Sequence, residues 1–169
     1  TWCFAAFGRA KDDRIMGELR KLPEKLKNTN TLVALLNFFG AFEDKRSAPV
    51  IMKLTGHPDE AVRYAVVDNL GKLGDQKCIE AIAGLSADPN KQVRLRAGEV
   101  LVALAKKLNA QRDALTALRA VLRKTNPDSV ETIAVTMGEL GQREASQPLV
   151  EMTNNTIPAV RLAAIIALG

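Results

Sequence analysis

Along "EAVRYAVVDNLGKL", Glu60 to Leu73, the apolar residues Val62, Val66, Leu70 and Leu73 recur every three or four positions. That is the period of one helix face. Pro58 and Asp59 precede the pattern as a helix start, and Gly71 and Gly74 stand where a left-handed residue is expected to end it. "QKCIEAIAGL" then gives a second, shorter apolar pattern. It stops at the turn sequence "SADPN", and a new long pattern runs on from Lys91. Long and short patterns alternate in this way from Trp2 to Gly169, and no segment alternates with period two over any useful length. The expectation is an all-α chain of about eleven helices.

The pattern repeats. Phe7-Gly8, Phe39-Gly40, Leu70-Gly71, Leu101-Val102, Met137-Gly138 and Leu168-Gly169 take the same place, at steps of 32, 31, 31, 36 and 31 residues. The long step implies an insertion near "KKLNAQRD". A single helical hairpin cannot bury both of its apolar faces, whereas stacked hairpins share a continuous core. Ala65, Ala97, Ala134 and Ala163 are small residues that let helices approach closely, where larger side chains would overpack. Residues 1–169 therefore read as one repeat array, with units ending near Gly8, Gly40, Gly71, Val102, Gly138 and Gly169.

Composition narrows this further. Apolar residues make up 47% of the 169, aromatics only 4%, a mix that suits close-packed helices. The formal charge of +5, from 24 basic and 19 acidic residues, is too mild to imply nucleic acid by itself. Cys3 and Cys78 form no CxxC and read as small packed apolar groups; a reduced compartment, the cytoplasm, is the simpler setting. No apolar run approaches the roughly 18 residues of a membrane span, and "WCFAAF" is too short for a signal-peptide core. The first and last long helices, "WCFAAF" and "VRLAAIIALG", are very apolar where capping repeats are polar. The expectation is a segment of a longer array, or ends covered by further repeats or subunits.

"VRYAVVDNLGKLGD" followed by "CIEAIAGLSADP" resembles the HEAT repeat, and is most similar to the short bacterial version named for phycobilisome lyases. The match is strong around Val62, Val93 and Val160, and weaker around Thr31 and Ser129, where Leu32 and Val130 stand in the arginine's place. The resemblance implies a right-handed α-solenoid of about five helical hairpins, long helices lining its concave side. It also implies a structural ladder: in the family an aspartate and an arginine six residues apart link adjacent units. Asp88 and Arg94 match both positions; Arg63 pairs by spacing with His57, and Arg161 with Asn155. The arginines are thus expected to be buried and paired.

Signals for catalysis are nearly absent. His57 precedes a proline at a helix start and reads as a hydrogen-bonding turn residue, with no cluster of metal ligands around it. There is no GxSxG, phosphate-binding glycine loop or Cys-His pair, so no cofactor or catalytic residue is assigned. Some relatives of the resembled family attach or detach bilin chromophores as paired subunits, which gives a lyase-like subunit as an alternative, by analogy alone. Nucleic acid is a second alternative. Lys106, Lys107, Arg112, Arg119, Arg123 and Lys124 form a basic cluster, and the seven- and four-residue spacing of Arg112, Arg119 and Arg123 places them on one face of a short helix. Few aromatics are present to stack bases, Trp2 and Tyr64 among them.

The leading reading is a non-catalytic scaffold that holds a protein or peptide on the exposed face of its long helices. Repeat spacing selects Val33, Asn37 and Ala41; Tyr64, Asp68 and Lys72; Leu95, Arg96, Glu99 and Ala103; Glu131, Thr132, Val135 and Glu139; and Leu162 and Ile166. This face mixes both charges with aliphatic side chains, and suits a polypeptide better than a phosphate backbone. Tyr64, Leu95 and Arg96 are the strongest candidates, being an aromatic, an exposed aliphatic and an arginine.

Overall fold

The computed structural model describes residues 13–122, 127–141 and 145–168. Gly8, Gly169, Trp2, Cys3, Arg123 and Lys124 lie outside them. The chain is all-α. Its described helices are α1 (Asp13–Leu19), α2 (Thr29–Ala41), α3 (Ala48–Met52), α4 (Glu60–Leu73), α5 (Ile79–Leu85), α6 (Lys91–Leu108), α7 (Gln111–Leu122), α8 (Pro127–Leu140), α9 (Ser146–Met152) and α10 (Pro158–Leu168). Single 3-10 turns, Lys45–Ser47 and Gln76–Cys78, lead into α3 and α5. There is no strand among the described residues.

The chain divides into two compact units, Thr1–Asp75 and Gln76–Gly169. In the first, α2 and α3 both pack on α4. In the second, the long helices α6, α8 and α10 lie side by side in that order. The shorter α5 and α7 pack on each other and on α6, and α9 packs on α8 and α10. Each unit is therefore a stack of long-short hairpins. The small residues sit inside it: Ala65, Ala97, Ala134 and Ala163 are all buried. In the longer repeat step α6 has 18 residues against 14 in α4 and α8, and α7 has 12 against seven in α5, while the connection from α6 to α7 is shorter than that from α4 to α5 and takes back part of the gain.

Side chains set the helix boundaries. Asn28, Asp59 and Asn90, spaced 31 residues apart, are N-caps in extended backbone, each accepting from an N–H in the first turn of α2, α4 or α6. Asp59 also accepts from the Thr29 hydroxyl at 2.8 Å, tying the start of α4 to the start of α2. That bond, with the Ala61 N–H, holds the Asp59 carboxyl below its usual pKa.

At the other end the sequence expectation needs correcting. Gly71 lies inside α4, as Gly40 lies inside α2 and Gly138 inside α8. The terminators are residues just beyond: Glu43, Gly74, Asn109 and Gly141, all with positive φ. At Glu43 and Asn109 the following N–H, from Asp44 or Ala110, bonds the carbonyl five residues back, closing the helix in a left-handed cap.

The recurring glycines do something else. A Cβ on Gly40 would fall 2.0 Å from Asn69 Oδ1, one on Gly98 2.6 Å from Thr136 Oγ1, and one on Gly138 2.6 Å from Ala167 Cβ. Each glycine thus receives the next long helix of its own unit. Where the step lengthens, the receiving residue shifts one turn back, from the position of Val102 to Gly98.

Candidate functional site

The second unit carries a groove of about 360 Å³ between α6 and α8. Its α6 wall is Lys91, Arg94, Leu95, Gly98 and Glu99, one helix face. Its α8 wall is Glu131, Thr132, Val135, Thr136 and Glu139. The Gly98–Thr136 contact forms the floor, because glycine lets the two helices meet there. Thr136 turns its hydroxyl back to the Thr132 carbonyl at 2.8 Å, so the floor offers no free donor from that group.

Across the floor, Leu95 and Val135 expose 42% and 40% of their surface, large fractions for aliphatic side chains. The carboxylates are unequal. Glu99 is paired with Arg96 at 2.9 Å in an exposed i,i+3 contact. Glu131 and Glu139 make no hydrogen bond or ion pair among the described residues. Of the positions selected from the sequence on these two helices, Leu95, Glu99, Glu131, Thr132, Val135 and Glu139 all line the groove. Arg96 and Ala103 do not.

The other selected positions fall elsewhere. Tyr64, Asp68 and Lys72 share one face of α4 in the first unit, with Tyr64 and Lys72 exposed and Asp68 half-buried. On α2, Asn37 is exposed, and its Oδ1 accepts from Asn69 at 2.9 Å; Val33 is half-buried and Ala41 exposed. Leu162 and Ile166 are exposed on α10. Asn69 itself escaped the sequence reading: it is fully buried, with its amide also donating to the Ala65 carbonyl. The available signal was a polar residue inside the apolar stripe of α4.

The Val-Arg arginines have a specific geometry. Arg63 Nη1 donates to the main-chain carbonyls of His57 (2.7 Å) and Pro58 (2.9 Å). Arg94 Nη1 does the same to Asp88 (2.8 Å) and Pro89 (3.0 Å), and Arg161 Nη1 to Asn155 (2.9 Å) and Thr156 (3.0 Å). The six-residue spacing thus serves a bond from side chain to main chain. Each arginine clamps the turn that opens its own helix. Arg63 and Arg94 are buried, Arg161 half-exposed.

The residue six places earlier has its own task. His57 Nδ1, Asp88 Oδ1 and Asn155 Oδ1 each accept from the N–H two residues on, at 3.1, 2.8 and 2.9 Å. This is the Asx-turn geometry, and His57 mimics it with its ring nitrogen. The position therefore tolerates three residue types.

The Cys78 side chain is fully buried in the core. Among the described residues no group of three or more His, Cys, Asp and Glu is placed to hold a metal ion. Arg112 and Arg119 are exposed on α7, and Lys106 and Lys107 in the last turn of α6. Among the described residues no helix is long and apolar enough to cross a membrane.

Stacked long-short hairpins with a groove along the long helices define a helical-repeat protein. The family model for HEAT repeats matches residues 19–102 and again residues 80–169, so the chain belongs to the HEAT-repeat family. Comparison with curated proteins gives no match.

Proposed function

We propose that the chain is a non-catalytic interaction module that holds a peptide or protein segment in the α6–α8 groove. The observation that carries this reading is the pairing of Leu95 and Val135 across the Gly98–Thr136 floor, with carboxylates around them. Exposed aliphatic side chains ringed by polar ones suit the buried centre and wet rim of a protein interface. Three carboxylates in the lining disfavour a phosphate backbone, which requires uniform basic charge. HEAT repeats commonly serve as protein-interaction scaffolds, and that use fits this surface.

Selection of peptides from a displayed random library on the immobilised chain tests the proposal. Bound clones should be released when Leu95 or Val135 is replaced by glutamate and retained when Arg119 is. Clones that ignore both groove substitutions but need Arg119 would move the binding surface to α7.

The resemblance to phycobilisome-lyase repeats rests on the Val-Arg and Leu-Gly-Asp elements, which the geometry above assigns to turns and helix ends. A bilin absorption assay with the chain would test a lyase-like role separately.

A further inference from the structure

The α6–α8 groove differs in charge from one end to the other. α7 returns between the two long helices and packs on both, so α6 and α8 run in the same direction. Lys91 and Glu131 therefore stand at the end nearer the helix starts, and Glu99 and Glu139 at the other. All four are exposed. The first end holds one charge of each sign. The second holds two carboxylates and no lysine or arginine of the lining. Arg94 belongs to the first half, and its Nη1 is engaged by the carbonyls of Asp88 and Pro89.

Two further observations mark the second end as short of positive charge. Glu139 lies in the last turn of α8, where the helix carbonyls already carry partial negative charge, and no basic residue shares that turn. It makes no hydrogen bond or ion pair among the described residues. Glu99 has its exposed i,i+3 contact with Arg96, a pair of small worth that a competing cation can open.

Spacing fixes where a cation would sit relative to the apolar centre. Val135 and Glu139 are four residues apart on α8, as Leu95 and Glu99 are on α6, which is about 6 Å along a helix axis. Alternate side chains of an extended peptide point the same way and are about 6.6 Å apart. An extended segment lying along the groove can therefore set one side chain on Leu95 and Val135, and the next on that side between Glu99 and Glu139.

Resting on the reading of this groove as a peptide site, we propose that its ligand is an extended segment carrying an aliphatic residue and, two positions away, a lysine or arginine. The aliphatic side chain packs on Leu95 and Val135, and the cation is held by Glu139 and Glu99. The ligand's charge supplies what that end of the groove lacks, and an acidic residue in the same place is repelled.

Titration of glycine-flanked synthetic peptides into the chain, followed by NMR chemical shifts, tests it. The peptides carry leucine-serine-lysine, leucine-serine-serine or leucine-serine-glutamate, each made in both residue orders. The lysine peptide should bind about three- to tenfold more tightly than the serine peptide, with the glutamate peptide weakest. High salt should narrow the gap. Glu139→Gln should cost the lysine peptide about two- to fivefold and leave the serine peptide unchanged. Its melting midpoint should not fall, because the substitution removes a carboxylate from a helix end that disfavours one. Peptides that lose affinity in Val135→Ser but show no preference for lysine would overturn this proposal and leave the groove as the binding surface. So would a lysine preference undiminished when Glu99→Gln and Glu139→Gln are combined. Binding that is unchanged in folded Val135→Ser, or no binding of any peptide, would overturn the groove reading and this proposal with it.

Discussion

A Cβ placed on Gly138 would lie 2.6 Å from Ala167 Cβ, 2.8 Å from its Cα and 2.9 Å from its carbonyl oxygen. The obstruction is main chain, which cannot swing aside, so α8 and α10 would have to separate. Gly138→Ala should therefore destabilise the second unit by about 1–3 kcal/mol, although alanine is the better helix former. Gly84, near the end of α5, has open space around it. Gly84→Ala should be neutral or stabilising by up to about 1 kcal/mol. Urea unfolding of both variants checks the contrast. Equal effects would mean that helix propensity, not close approach, governs both sites.

The clamp from Arg94 to the carbonyls of Asp88 and Pro89 is buried, so Arg94→Ala leaves acceptors unsatisfied and should cost about 1–3 kcal/mol. At the turn of the first unit, His57→Asn should be nearly silent. Asn155 already makes the same i to i+2 bond, and the carbonyl that Arg63 uses does not depend on the side chain. His57→Ala removes the acceptor for the Asp59 N–H and should cost about 1 kcal/mol. Thermal melts of the three variants separate these outcomes.

The helices, their long-short alternation and the groove residues Leu95, Glu99, Glu131 and Glu139 follow from a 3.6-residue period, which sorts positions into buried and exposed. The acceptors of Arg63, Arg94 and Arg161 do not, because a main-chain carbonyl is present at every residue and leaves no mark in side-chain identity. Gly71 and Gly138 misled for a related reason: a glycine can end a helix or admit a neighbour, and only the packing decides. The shift from Val102 to Gly98 depends on the extra turn of α6, which a fixed repeat step hides. The division after Asp75 has no sequence signal that we recognise.

Glu43 closes α2 with φ 49°, a conformation in which its Cβ is crowded. Gly74 fills the corresponding place after α4 without that crowding. Glu43→Gly should stabilise the first unit by up to about 1 kcal/mol, the relief of strain exceeding the extra freedom gained by the unfolded chain. A lowered urea midpoint would show that the glutamate side chain contributes more than its backbone costs.

The next residue, Asp44, is held by a two-pronged contact from Arg20, Nε to Oδ2 at 2.9 Å and Nη2 to Oδ1 at 2.8 Å, and by the Ser47 hydroxyl. Burial raises its pKa, but bonds from Arg20, Ser47 and the Arg46 N–H outweigh that and set it below the ordinary 3.8. A carboxylate with a lowered folded pKa stabilises the fold fully above its unfolded value, and that contribution is lost as pH falls through the folded value. Asp44→Asn should then cost about 1.5–3 kcal/mol at pH 7. The gap between wild type and variant should narrow below about pH 4. Urea midpoints at pH 7 and pH 3 measure it; a gap that does not change with pH would assign the loss to shape, not charge.

The groove between α6 and α8 is tested most directly by calorimetric titration of a library-selected peptide into the wild-type chain and into Val135→Glu. The exposed position of Val135 should leave the fold intact in the variant, as its melting midpoint will show. The peptide should bind the wild type and lose at least about tenfold in affinity to the variant. Equal dissociation constants for the two folded proteins would contradict the assignment of this groove as the binding surface.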